Sequence, residues 1–427
     1  MILSISNFNY NTYTQLTQSV KVRFGLQPLD SVSLKPKRDL TIEEEWKINE
    51  LKTQLPAKSI IELENLKTNG ILIDNRSNDG STTLDNLYKI YKTGRAEGLN
   101  GKVILAETVQ HLNNPYLISQ KSDNSIKNYL EALFSPKHPI YEKDTSSTCT
   151  ASCIEFDLAN QEPAEFTRFV EGLTSSEMKV DKTIKLENLA DKTLDAIWLL
   201  NTFDVDSEEK DFDKVKLTFR PDDMALLKVS LNSNSKTKQR NSIDTILQAT
   251  FMNIGSQGSY NSLTDRRAGK FNVTERGLIE FEKTFVESVV RDKNIISVNY
   301  QKIENGKIAG YEADFGTIKK QLLDALALKE NVILGIVQPD KKGKLKGHEI
   351  VLVGAKTHSN GKTDFLCFNS DMDKTSPVTY SEDYLLPKIH HAGLPKSVVE
   401  KTMTFKDGWV LGLENYKSMK KVNFNRS

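Results

Sequence analysis

Two cysteines lie in the stretch SSTCTASCIEFDLA, and the first of them, Cys149, occupies a position where a thiol can become a nucleophile. Ser146, Ser147 or Thr148 can each serve as a helix N-cap before it, and Ile154, Phe156 and Leu158 supply apolar surface beyond it. Cys149 is therefore expected in the first turn of a helix. Unpaired backbone N–H groups and the positive end of the helix dipole favour thiolate over thiol there. A thiolate nucleophile needs a base or an ion-pair partner, and imidazole is the usual one.

Of the six histidines, His348 is placed best for that task, because it follows Gly347 and opens the apolar run HEIVLVGA. A second run, DFLCFNS, follows across Asn360-Gly361, a pair that tolerates the positive φ of a tight hairpin turn. In a hairpin the start of one strand lies beside the end of the next. Asn369 or Asp371 is thereby brought back to His348, where an amide or carboxylate can hold the imidazole Nδ1–H and aim the ring at a thiol.

The elements that must position these residues can be read in outline. Residues 1–40, rich in Asn, Ser, Thr and Gln, read as a loosely ordered arm with one strand candidate at VKVRFGL. Residues 41–135 read as a helical module. It opens with a capping box from Thr41 to Glu44 and an apolar stripe of Trp46, Ile48 and Leu51. Within it, 71–74 is a short strand candidate, and 85–91, 102–112 and 125–134 are helices. The prolines of SPKHP close the module. Residues 163–245 mix acidic and basic helical pieces around a KVKLTF strand that starts at Lys214. From 243 the pattern is clearer. Helices are expected over 243–254, over 277–290 with Leu278, Phe281, Phe285 and Val289 on one face, and after an Asp314 cap through Leu328. Between them come a hairpin around Glu304-Asn305-Gly306 and the buried strand NVILGIV. Helices come first and an antiparallel sheet second, which is an α+β plan.

Composition excludes several classes. The chain has 427 residues with 58 Lys+Arg against 57 Asp+Glu, so a formal charge of +1 offers no broad attraction to nucleic acid. Three cysteines cannot build a disulfide framework and suit a reducing compartment. No run reaches the ~18 apolar residues of a membrane span. The start MILSISNFNYNTYTQ lacks the basic and apolar regions of a signal peptide, so the location expected is cytoplasmic, or exported without a cleavable signal.

A Cys at a helix start, then Gly-His opening a hydrophobic hairpin, then Asn or Asp after its second strand resembles the papain-like cysteine peptidases. CTASCIEF, the run IKKQLLDALALKENVILGIV before KGHEIVLVG, and FLCFNSD resemble in particular the branch that includes peptidases cleaving double-glycine leader peptides. The resemblance implies a papain-like domain over 136–395 with an insertion at about 163–245, followed by a basic tail over 396–427. It implies Cys149 as nucleophile, His348 as base, Asn369 or Asp371 as the residue orienting the imidazole, a peptide or protein substrate, and no cofactor. The same triad could run deamidation or transamidation. A non-catalytic module that binds a protein partner through the insertion is the alternative from another class, and an inactive precursor covered by residues 1–135 is a third.

The family's amide before the nucleophile is not found, since the amides between Ser122 and Cys149 are Asn124 and Asn128, too far back. The oxyanion is then left to the Cys149 N–H with Lys143, Ser147 or Thr148. Cys153 is the alternative nucleophile, because CIEF loosely resembles the Cys-x-x-Phe stretch of papain. Its second-turn position reads instead as core packing. No metal site is expected: His390-His391 reads as a solvated loop, and Cys149 with Cys153 lacks a usual zinc spacing. GAKTHSNGKT lies in a hairpin and is no phosphate loop. KKGKLKG reads as a solvated loop, Asp265-Arg266-Arg267 as a charged turn, and Tyr311, Phe315 and Phe365 as core.

Overall fold

The computed structural model describes residues 23–24, 38–121, 147–185, 214–234, 240–267, 277–278, 280–304, 307–339, 345–372 and 374–402. The expected helix at 125–134, the SPKHP boundary, Lys143 and the basic tail after 402 lie outside them. After β1 (Arg23–Phe24) come the helices α1 (Ile42–Lys52), α2 (Ala57–Thr68), α3 (Thr83–Lys92) and α4 (Gly101–Asn113). Thr41 and Glu44 form the reciprocal capping box that the sequence shows. Trp46, however, is 55% exposed while Ile48 and Leu51 are buried. Residues two apart on a helix lie on opposite sides, so Ile48 and Leu51 define the inner face and Trp46 rests outside against Tyr88. The strand expected at 71–74 is a 3-10 turn, Ile71–Ile73, entered through the left-handed Gly70 that ends α2.

Next come α5 (Cys149–Gln161), α6 (Pro163–Thr174), the hairpin β2 (Val180–Lys185) with β3 (Lys214–Phe219), α7 (Ala225–Ser233) and α8 (Ser242–Gly255). A two-residue ribbon of β4 (Tyr260–Asn261) and β5 (Arg266–Arg267) leads to α9 (Glu280–Arg291). Leu278 precedes that helix and Phe285 and Val289 are buried along it, while the Phe281 side chain lies outside the described residues.

The C-terminal part is an antiparallel sheet. Its strands are β6 (Ile295–Asn299), β9 (Val332–Pro339), β10 (Leu345–Thr357), β11 (Thr363–Phe368), β12 (Val378–Ser381) and β13 (Ile389–Pro395). The small hairpin β7 (Gln301–Glu304) with β8 (Lys307–Tyr311) stands apart from it. The spatial order is β12-β11-β10-β9-β13-β6, and β1 adds to β10 at Gly354 and Ala355. The β10–β11 hairpin turns through Gly361 at φ 81°, as Asn-Gly predicts.

Alternation along the strands gives the sheet two covered faces. Ile333, Val351, Val353 and Phe368 join the core shared with α5, α8 and α9. Val332, Leu334, Ile336, Ile350, Leu352, Phe365 and Cys367 face α10 (Phe315–Ala327) and α11 (Lys396–Thr402). Covering on both faces is why NVILGIV reads as a continuous apolar run and not as an alternation. The architecture is α+β. In packing, the helices at 41–113 and the described parts of 163–245 share one hydrophobic core with α5.

Three further readings of the sequence change. Tyr311 and Phe315, expected in the core, are 44% and 40% exposed and pack edge-on against each other at the free hairpin, whereas Phe365 is buried. Asp265 and Arg267 form no solvated turn. Asp265 is buried against Arg240 at 2.9 Å, and Arg267 is buried against Glu282 at 2.5 Å. His390 and His391 stand in β13 and not in a loop, and His391 is buried.

Candidate active site

Helix α5 is buried on nearly all sides from Thr150 to Asn160, and only its two end residues, Cys149 and Gln161, reach partial exposure. Three contacts lock its register. The Phe156 ring stacks on Phe368 with centroids 4.1 Å apart, and Tyr116 meets Phe156 edge-on at 5.1 Å. Ser152 Oγ lies 3.0 Å from Ser370 Oγ. At the far end of the helix, Asp157 pairs with the buried Arg291 of α9. Phe368 and Ser370 flank Asn369, so the packing that seats α5 also fixes Asn369 relative to Cys149.

Cys149, His348, Asn369 and Asp371 come together at the mouth of this interface. Cys149 stands close enough to the His348 imidazole to raise its pKa. His348 Nε2 is 2.8 Å from Asn369 Oδ1, and His348 Nδ1 is 3.6 Å from Asp371 Oδ2. The Asn369 amide is oriented by its other partners. Its Nδ2 donates to Tyr380 Oη at 3.0 Å, and its Oδ1 also accepts the Asp371 N–H at 3.0 Å. An oxygen in that place requires a proton on His348 Nε2 and leaves Nδ1 to exchange a proton with the thiol. The sequence argument had the two ring nitrogens the other way round.

The His348 pKa is raised to about 9. Burial pulls it down, but the hydrogen bond and charge of Cys149, the Asp371 carboxylate and the Asn369 amide together outweigh that pull. An imidazolium therefore persists through neutral pH beside the thiol. Cys153, one turn deeper, is fully buried. Burial first, then the nearby charges of Glu349 and Cys149, pushes its thiol well above the ordinary range, which keeps it neutral and unreactive.

The expected oxyanion side chains are committed elsewhere. Ser147 Oγ donates to the Asp265 carbonyl at 2.7 Å, and Thr148 Oγ1 donates to Gln248 Oε1 at 2.8 Å. Thr148 occupies the N-cap position, but its side chain makes no capping hydrogen bond to the first turn of α5. Gln120 is the neighbour that sequence reasoning missed. Its amide Nε2 donates to Asp371 Oδ1. Its place is set by the adjacent Ser119, whose N–H meets Asp244 Oδ2 at 3.1 Å and whose carbonyl accepts Gln248 Nε2 at 3.0 Å. The amide was sought after Ser122, while this one stands just before it, 29 residues ahead of Cys149.

Among the described residues no helix is long and apolar enough to cross a membrane. Comparison with protein-family models, curated proteins and solved structures finds no match to this chain.

Proposed function

We propose that this chain is a papain-like thiol hydrolase acting as a cysteine peptidase. The observation that carries the reading is the chain of contacts from Cys149, at the open first position of a buried helix, through His348 to Asn369 at 2.8 Å. The Cys149 sulfur attacks the carbonyl carbon of a scissile amide, and the developing oxyanion is met by the Cys149 backbone N–H. We assign the second donor to Gln120, because its buried carboxamide meets Asp371 beside the imidazole. His348 gives its Nδ1 proton to the leaving amine as the C–N bond breaks. It then takes a proton from the water that attacks the thioester, which releases the acid and restores the thiolate–imidazolium pair. A side-chain amide as substrate makes the same steps a deamidation, and an amine in place of water makes them a transamidation.

The test is alkylation of the native protein by iodoacetamide at pH 7, with the labelled cysteine identified by mass spectrometry, beside His348→Ala. Labelling confined to Cys149 that slows tenfold or more in the variant is expected. Equal slow labelling in both proteins would remove the Cys–His pair and the mechanism with it.

A further inference from the structure

Away from the Cys–His pair, the side chains of Glu280, His390 and His391 bring ligand atoms within 4.8 Å of one another. Glu280 opens α9, and the two histidines follow each other in β13. Neighbours in a regular strand point to opposite faces. Here the β13–β9 register slips between Ile389 and His391, and a bulge of this kind re-aims a side chain, so both rings meet. His390 Nδ1 is 3.0 Å from His391 Nδ1 and 3.2 Å from Glu280 Oε1. Tetrahedral ligand atoms ~2.0–2.1 Å from a zinc ion lie about 3.3–3.4 Å apart, close to both separations from His390 Nδ1, and the remaining pair lies within 4.8 Å.

The atoms behind these three are those a metal site needs. His391 Nε2 lies 3.1 Å from Glu349 Oε1, and Glu280 Oε2 accepts Asn299 Nδ2 at 2.8 Å. The Glu349 carboxylate lies on the Nε2 side of the His391 ring, so Nδ1 is the nitrogen turned toward His390. Gly335 is part of the fit: a Cβ there would sit 2.0 Å from the His391 ring. Glu280 and His390 keep side-chain exposures of 24% and 17%, which leaves an approach from solvent and room for a water ligand.

A second cluster, His111 with Glu155 and Asp244, shows the opposite arrangement. Asn241 Oδ1 caps α8 by accepting the Asp244 N–H, which turns its Nδ2 toward His111 Nε2 at 3.0 Å. His111 Nε2 must then accept, so the proton sits on Nδ1, the atom that faces the carboxylates. That cluster holds protons, not a cation.

We propose that Glu280, His390 and His391 bind one divalent transition-metal ion of the zinc class, with Glu349 and Asn299 orienting its ligands. The ion would tie the start of α9 to β13 and, through Glu349, to β10 next to His348. The proposal does not depend on the peptidase reading. Calorimetric titration of the full chain with zinc ion, in a Cys149→Ala background so that the thiol cannot take it, should give one ion per chain at micromolar affinity or tighter. Glu280→Gln and His390→Ala should lose at least a hundredfold, and Glu349→Gln about 10–100-fold. Unchanged melting temperatures of the metal-free variants serve as the folding control, and Glu280→Gln, nearly isosteric and partly exposed, stands in if His390→Ala fails it. No saturable binding, or an affinity that Glu280→Gln leaves unchanged, overturns the proposal.

Discussion

Asn369 and Asp371 both meet His348, and their contributions should differ in a way that the geometry sets in advance. Asn369 is buried and hydrogen-bonds the ring at 2.8 Å. Asn369→Ala removes a bond to a charged imidazolium, worth about 1.5–3 kcal/mol. At ~1.36 kcal/mol per tenfold, the rate of Cys149 alkylation and any peptide turnover should fall roughly 10- to 150-fold. Asp371 is 3.6 Å from the ring with its side chain 47% exposed, so solvent screens the pair. A pair of that kind is worth about 0.2–1 kcal/mol, so Asp371→Asn should cost less than about fivefold and nothing measurable in high salt. Asn369→Asp keeps an acceptor at the same place and should recover most of the rate. The assay is the second-order rate constant for iodoacetamide at pH 7, with thermal melts to exclude unfolding through the orphaned Tyr380 hydroxyl. A larger loss in Asp371→Asn than in Asn369→Ala would refute the assignment of Asn369 as the residue that orients the ring.

Two further outcomes follow from the same packing. Gln120→Ala should lower turnover by about 10²–10³ if its amide serves the oxyanion, while leaving the alkylation rate of Cys149 nearly unchanged, because alkylation forms no oxyanion; comparing the two rates on one preparation checks this. Burial raises the Glu107 carboxyl from 4.5 to about 7 against weaker opposition from the Ser242 and Ile243 N–H groups. Its protonated form therefore contributes stability below pH 4.5 that is lost as pH rises to about 7, a difference of roughly 3 kcal/mol at ~1.36 kcal/mol per tenfold. Glu107→Gln should flatten the pH dependence of urea unfolding across that window, and equal slopes in the two proteins would refute the burial argument.

Much of the local structure was legible along the chain because its causes are local. The capping box at Thr41, the Asp314 cap that accepts the Thr317 N–H, the Asn-Gly hairpin and the doubly covered strand NVILGIV each follow from a few adjacent residues. So does Cys149 at a helix start, and the hairpin argument brings Asn369 to His348 from turn chemistry alone. Periodicity misled where two states compete for a short apolar run, as at 71–73, or where exposure depends on what lies outside a helix, as for Trp46.

Tertiary packing decided the rest. Which ring nitrogen faces the thiol depends on how Tyr380 and the Asp371 N–H turn the Asn369 amide, and these residues meet only after the sheet has formed. Ser147 and Thr148 lost their expected role to Asp265 and Gln248, partners about a hundred residues away in sequence. Gln120 entered the site because Asp244 and Gln248 of α8 fix the backbone of Ser119. His390 and His391 became a paired cluster through a bulge and a glycine on the neighbouring strand. A sequence states which donors and acceptors exist; burial requires that each be satisfied, and the partner is whichever group the folded chain brings within reach.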